Sequence, residues 1–252
     1  MRKARNRVLL DHSPAAVAQR LANGPGQVYL KDFVYGAIDG AVTTLAVVSG
    51  VAGGGLASSI IIILGLANIF ADGFSMAISN YLGTRAENQR LESERSCELA
   101  EIEANPEGER EEIRQIFARK GFSGEQLEEV VNVITADKRR WVDTMLQEEH
   151  GLSLQGINAG KAGLVTFGAF MLVGILPLIP YLLNWWQVDL IANAFAFSCG
   201  ITTLAFFVVG ALKGQYVEQS WYRSGLETTL VGGAAALLAY GVGVLLGNLV
   251  AV

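Results

Sequence analysis

The sequence predicts an all-α, multi-pass membrane protein with five transmembrane helices and a cytoplasmic helical insert between the second and the third. Three observations predict it. The 252 residues are 51% hydrophobic and only 17% charged, with a mean hydropathy of +0.36, whereas about a quarter of residues are charged in ordinary soluble domains. Five apolar runs reach the roughly 20 residues that a helix needs to cross the hydrocarbon of a bilayer. Charge is gathered into one stretch: residues 85–150 hold 17 of the 24 acids and 10 of the 19 bases, a net −7, and the remainder nets +2.

The chain opens with a basic arm, residues 1–30, carrying Arg2, Lys3, Arg5, Arg7 and Arg20. No apolar core followed by a small-residue cleavage site lies in it, so a cleaved signal peptide is not expected. Crossings are expected at about 33–53, 57–82, 162–183, 189–212 and 226–250, which divides the chain into the arm, crossings one and two (31–84), the insert (85–151) and crossings three to five (152–252). Gly53-Gly54-Gly55 makes the first connection so short that the first two crossings should form a tight antiparallel pair. The arm, the insert and the Lys213–Arg223 loop hold the bases and share one side, whereas loops 53–56 and 184–188 have none. Bases gather on the cytoplasmic side, which puts the N-terminus and the insert there. Tyr181, Trp185 and Trp186 are then expected as outer aromatic anchors, with Trp221 and Tyr222 at the inner boundary.

The insert reads as three or four amphipathic helices and no strand. Its first helix continues the second crossing to Asn105-Pro106, where proline disfavours helix in the residue before it. A second runs from about Glu107 to Lys120 with Gly121 as a left-handed cap. Ser123 and Gln126 have capping-box spacing for a third, and Asp137 can cap a fourth ending at Gly151. Cys97 and Cys199 lie far apart in sequence, form no disulfide framework and suit a reducing compartment.

Two acids lie within the crossings away from their ends, Asp39 and Asp72. A mid-bilayer acid costs about 2.5–3.5 kcal/mol even on the lenient insertion scale, so each needs a partner. No lysine or arginine is expected at that depth, which favours a mobile cation or a proton. Asp32, Asp39, Thr43 and Gly50 recur on one face of the first crossing, and Asn68, Asp72, Ser75, Met76 and Ser79 on one face of the second. Gly36 and Gly40, four apart, allow close helix approach. Carboxylate and amide oxygens with the thioether of Met76 suit a transition metal such as Fe2+ better than Ca2+ or Mg2+. In the insert Glu98 and Glu101, and Glu109 and Glu112, are i, i+3 pairs flanking the Pro106 turn, and a helical hairpin can bring both pairs together. Four such carboxylates repel unless a cation sits among them. Met145 and Glu149 can add a thioether and a fifth carboxylate, while His12 and His150 read as incidental and Cys97 as pointing to a different face.

The runs DFVYGAIDGAVTTLAVVSG (32–50), GLANIFADGFSMAISNYLGTRAE (65–87), PLIPY (177–181) and GALKGQYV (210–217) together resemble the vacuolar iron transporter (VIT) family, in order and from about residue 30 to the end. The resemblance implies a homodimer of five-helix subunits exporting Fe2+ from the cytosol in exchange for protons, with no permanently bound cofactor, no nucleic acid and the metal as substrate. It implies pathway residues at Asp32, Asp39 and Met76, and a metal-binding insert using Glu98, Glu101, Glu109, Glu112, Glu149 and Met145. Two positions depart. Asn68 stands where the family often has a glutamate, and Asp72, one turn on, is expected to replace it; Leu146 stands where the family has a second methionine. Metal preference is what these changes affect, since related branches handle Mn2+. The implied location is a prokaryotic plasma membrane, or a vacuolar membrane in a eukaryote. Two other classes fit the acids, a membrane-bound di-iron ferroxidase and a metal-sensing membrane scaffold, although the ferroxidase's paired Glu-x-x-His motifs are absent.

Overall fold

A computed structural model describes residues 12–23, 29–187 and 190–250. Their regular structure is helical, without a strand: α1 (Pro14–Asn23), α2 (Leu30–Gly53), α3 (Ser58–Ala104), α4 (Pro106–Arg119), α5 (Gly124–Thr135), α6 (Lys138–Glu148), α7 (Ala159–Gly174), α8 (Ile179–Trp186), α9 (Ala194–Tyr216) and α10 (Trp221–Val250), with a short 3-10 turn at Leu176–Leu178. Five spans among these residues are long and apolar enough to cross a membrane, α7 and α8 counting as one. Most of the basic arm lies outside the described residues; α1 falls within it. The chain divides into two compact units, residues 82–159 and the remainder.

In the membrane unit α2 is the hub. Its Ala37, Ala41 and Leu45 pack with Ala169 and Val173 of α7 and with Ala205, Phe206 and Val209 of α9. Its Val48 and Val51 pack with Ile61 and Ile69 of α3 and with Phe170, Leu178 and Tyr181. Lipid offers no hydrophobic drive between helices, so close backbone approach through small residues must supply the contact. A Cβ on Gly40 would stand 2.6 Å from the Phe170 carbonyl oxygen, and one on Gly36 would meet that of Thr166. The Gly36/Gly40 spacing is thus a packing seam against α7. Gly50, expected on the polar face, instead lies against α10, where a Cβ on Gly243 would strike its carbonyl.

α2 ends in a Schellman turn: Leu56 N donates to Val51 O at 3.1 Å, Gly55 N to Ala52 O at 3.1 Å, and Gly55 takes φ +67°. The chain reverses there into α3. The third crossing is interrupted by the 3-10 turn at Leu176–Leu178, because Pro177 has no N–H to give the helix. The buried Ser198 hydroxyl of α9 donates to the Pro177 carbonyl at 2.7 Å. Tyr181 is not an anchor. It is 4% exposed in the core, whereas Trp185 and Trp186 project outward, as Trp221 and Tyr222 do from α10. The fourth crossing begins at Ala194, where the Asn193 side chain accepts from Ala196 N at 3.0 Å.

In the 82–159 unit the helices enclose one apolar core of Ile102, Ile113, Val131, Trp141, Val142, Met145 and Leu146. Asn105 caps α4, accepting from Gly108 N at 3.2 Å with Pro106 at the first helical position. Asp137 caps α6 through Arg140 N at 2.8 Å. Gly121 and Gly151 take the left-handed conformation expected of helix stops. The Ser123 capping box does not form: Ser123 is at the N-cap, but its hydroxyl makes no cap bond, and the following Gly124 has φ +58°.

Candidate functional site

Two sets of side chains come together, one in each unit. In the membrane unit the α2–α3 hairpin has a defined register. Asn80 Nδ2 donates to Asp32 Oδ1 at 2.9 Å and to Thr166 Oγ1 of α7 at 2.7 Å. Asp32 and Asn80 lie equally far on either side of Leu56, so the same register brings Asp39 to within one residue of the level of Asp72, near enough for their charges to interact. Asp39 and Met76 line one cavity of about 590 Å³. Its walls are mostly apolar, and Lys31, Tyr35, Lys213 and Tyr216 also reach it. Two lysines therefore line the same cavity as Asp39, Lys31 from the first turn of α2 itself and Lys213 from the last turn of α9. Lys213 Nζ is 3.4 Å from Glu227 Oε2.

Not every residue of the expected stripes shares that cavity. Thr43 donates its hydroxyl to the Asp39 carbonyl at 2.9 Å, the usual way for a helical threonine to satisfy itself in low dielectric. Asp72, Ser75 and Ser79 are exposed in the single chain, and Asn68 is half-buried with an unpartnered Nδ2. Asn80 and Thr166 were missed, although Asn80 continues the four-residue series Asn68, Asp72, Met76.

In the other unit four expected acids and one unexpected base gather around a fifth expected acid, Glu98. Glu98 on α3 is 2% exposed, and Glu109 on α4 is 6% exposed. Ligand atoms of Glu98, Glu101 and Glu109 all lie within 4.8 Å of one another, as do those of Glu98, Glu149 and His150. Glu112 shares a hydrogen bond with Glu149. The bases nearby are committed elsewhere: Arg95 to Asp143 at 2.7 Å, Lys138 to Glu103 at 2.9 Å, and Arg114 to Glu128 at 2.7 Å and to Glu111. Burial and then the charges of Glu112, Glu98, Glu101 and Glu149 push the Glu109 carboxyl up to about 7. Burial, then Glu149, raises Glu112. The hydrogen bond to Glu98 raises His150. Glu109 and Glu112 thus hold their protons more tightly than ordinary carboxyls do, and a divalent cation can take the place of those protons.

Met145 is fully buried and packs with Ile113, Trp141, Val142 and Leu146, the apolar core. Cys97 does not turn away from the acids: its Sγ is 3.6 Å from Glu101 Oε1, one turn along α3. His150 is the larger departure, with Nε2 2.7 Å from Glu98 Oε1. Its adjacency to Glu149 was the one signal in the sequence.

The family model described as the VIT family matches residues 30–244. A vacuolar iron transporter of Toxoplasma gondii is 35% identical over 229 residues, covering 86% of this chain and 74% of the relative. A vacuolar iron transporter of Plasmodium berghei is 31% identical over 224 residues, covering 86% and 82%. Vacuolar iron transporter 1 of Arabidopsis thaliana is 30% identical over 212 residues, covering 84% and 83%. With its helical order, its paired membrane acids and a match over most of its length, the chain belongs to the VIT family.

Proposed function

We propose that the chain is a secondary transporter, not an enzyme, that moves Fe2+ across the membrane in exchange for protons and accepts Mn2+ as a second cargo. The observation that carries this reading is the cavity shared by Asp39 and Met76. A carboxylate and a thioether facing one space suit a transition metal over Mg2+ or Ca2+. Asp39 serves both cations: deprotonated it binds the metal, and protonation from the far side releases it and neutralises the acid for the return step. Asp72 interacts with Asp39 across the hairpin, and Asp32 and Asn68 flank the same route. Glu98, Glu101, Glu109, Glu112 and Glu149, with Met145 beside them, gather the metal from the cytosol. The metal is cargo, and no permanent cofactor enters this reading.

The reading includes a homodimer in a bilayer, with the N-terminus and insert cytoplasmic, in a prokaryotic plasma membrane or a eukaryotic vacuolar one. Exposure of Asp72 on a bare apolar helix supports the dimer, since a carboxylate facing lipid is costly and a second α3 would cover it. Proteoliposomes loaded with an Fe2+ reporter test the transport. Uptake should follow an imposed pH gradient, acidify the opposite compartment and stop in Asp39→Ala. Uptake indifferent to the gradient would leave a uniporter, and oxygen consumption on adding Fe2+ without uptake would point to a ferroxidase.

A further inference from the structure

We infer that the imidazole of His150 is a metal ligand of the insert, set beside Glu98 and Glu149, and that it tunes the site toward borderline divalent ions over Mg2+ and Ca2+. The inference rests on the metal-gathering role proposed above and names a ligand that role does not include. Its first support is local geometry. On a continuing helix Glu149 and His150 would diverge by about 100°, and one of them would leave the cluster. α6 instead stops at Glu148, Leu152 N closes on Leu146 O at 2.8 Å, and Gly151 turns left-handed at φ +64°. That stop lets both neighbouring side chains face Glu98.

The spacing fits an ion. Two ligands each about 2.1 Å from one metal and at right angles stand roughly 3 Å apart, and His150 Nε2 lies 2.7 Å from Glu98 Oε1. A cation therefore replaces whatever joins those atoms after an opening of a few tenths of an ångström. Two carboxylate oxygens independently call for such an ion. Glu98 Oε2 and Glu109 Oε2 are buried and have no hydrogen-bond partner, on side chains 2% and 6% exposed. Orphaned buried acceptors of this kind are costly. The donor set also fits: imidazole suits Fe, Zn and Co, whereas Mg2+ and Ca2+ prefer oxygen alone. With Leu146 lacking a donor and Met145 packed among apolar side chains, His150 supplies a nitrogen ligand beside the carboxylates.

The chain has two histidines, His12 and His150, so an imidazole signal can be assigned. The test is pulsed EPR of Mn2+ bound to the full-length protein in nanodiscs, with any polyhistidine tag removed. Native protein should show nitrogen modulation that changes on 15N-histidine labelling, persists in His12→Gln and disappears in His150→Gln. Calorimetry with Co2+ and Mg2+ should show His150→Gln weakening Co2+ by about 10-fold or more, the least expected when even an outer-shell partner is lost, with Mg2+ unchanged. Mn2+ bound without nitrogen modulation in the native protein would overturn the inference and leave the glutamate site standing. No binding of Mn2+ or Co2+ to the native protein would overturn both. The labelled native protein keeps the outcome decisive even where His150→Gln folds poorly.

Discussion

Asn80 Nδ2 donates to Asp32 Oδ1 at 2.9 Å, tying the end of one membrane crossing to the start of the crossing before it. The same amide reaches Thr166 at 2.7 Å, so three helices meet at one side chain. Removing it leaves a carboxylate with fewer donors in a low dielectric. Asn80→Ala should destabilise the protein by about 1 kcal/mol, between the average membrane hydrogen bond and one made to a charged group. The thermal midpoint in detergent checks this. Asn80→Asp, which sets a second carboxylate beside Asp32, should lose more and recover partly on acidification; a native-like midpoint for both variants would refute the tie.

The glycine seam makes a sharper structural prediction. A Cβ at Gly40 would stand 2.6 Å from the Phe170 carbonyl oxygen and 3.0 Å from its Cα, both backbone atoms. α2 and α7 must then separate, so Gly40→Ala should cost about 1–3 kcal/mol as overpacking. At Gly168 on α7 nothing lies within 4 Å of an added Cβ. Gly168→Ala should be neutral or gain up to about 1 kcal/mol in helix propensity. Comparing the yield and melting of the two variants measures the seam directly, and equal behaviour would mean that the helices do not pack this closely.

What the sequence made legible follows from which forces are local. Crossing length and apolarity belong to each segment alone, so the five spans and the acidic insert could be read without a fold. Cap residues act within one turn, and Asp137, Gly121 and Gly151 behave as read, while α3 ends just before Asn105-Pro106 as expected. The misses are tertiary. Tyr181 has the composition of an interfacial anchor, but its place in the helix turns it onto Val48 and Ile61. Lys213 looked like a loop base until α9 carried four residues further than expected. His150 was invisible to helical spacing because it lies just beyond the helix, where direction is set by a turn. The paired glutamates were legible as spacing, while the burial that separates Glu98 and Glu109 from the exposed Glu101 and Glu112 was not.

Asn68 and Asp72 allow a test of acid replacement on α3. They are one helical turn apart, about 5.4 Å along the axis, and Asp72 is the one whose charge reaches Asp39. Asp72→Ala should abolish uptake in the native background and be tolerated when Asn68→Glu restores a carboxylate one turn away. The Fe2+ flux of four liposome preparations, native, each single variant and the double, checks it. Loss of flux in the double variant would give Asp72 a role that no neighbouring acid can fill.

The insert should respond to pH in a direction set by its crowded acids. Glu109 is held at about 7, above the ordinary 4.5, mainly by burial. The folded insert therefore binds more protons than the unfolded chain between those values, and its stability falls as pH rises through that window, by up to about 3 kcal/mol if Glu109 acted alone. Glu112, also raised, acts in the same sense. His150 is raised by Glu98, so its contribution is complete below 6.5 and is lost as pH climbs through its folded value, again the same direction. Hydrogen–deuterium exchange of peptides from residues 106–148 in the full-length protein with chelator, corrected for intrinsic rates, should thus show protection declining from pH 6 to 8. Saturating Mn2+ should reverse the trend, because metal replaces the protons and its affinity rises as they leave. Glu109→Gln should flatten the metal-free profile, since an amide stays neutral at both ends of the range. A native profile that gains protection with pH in chelator would mean that the carboxylates are balanced by bases and that Glu109 and Glu112 are not raised.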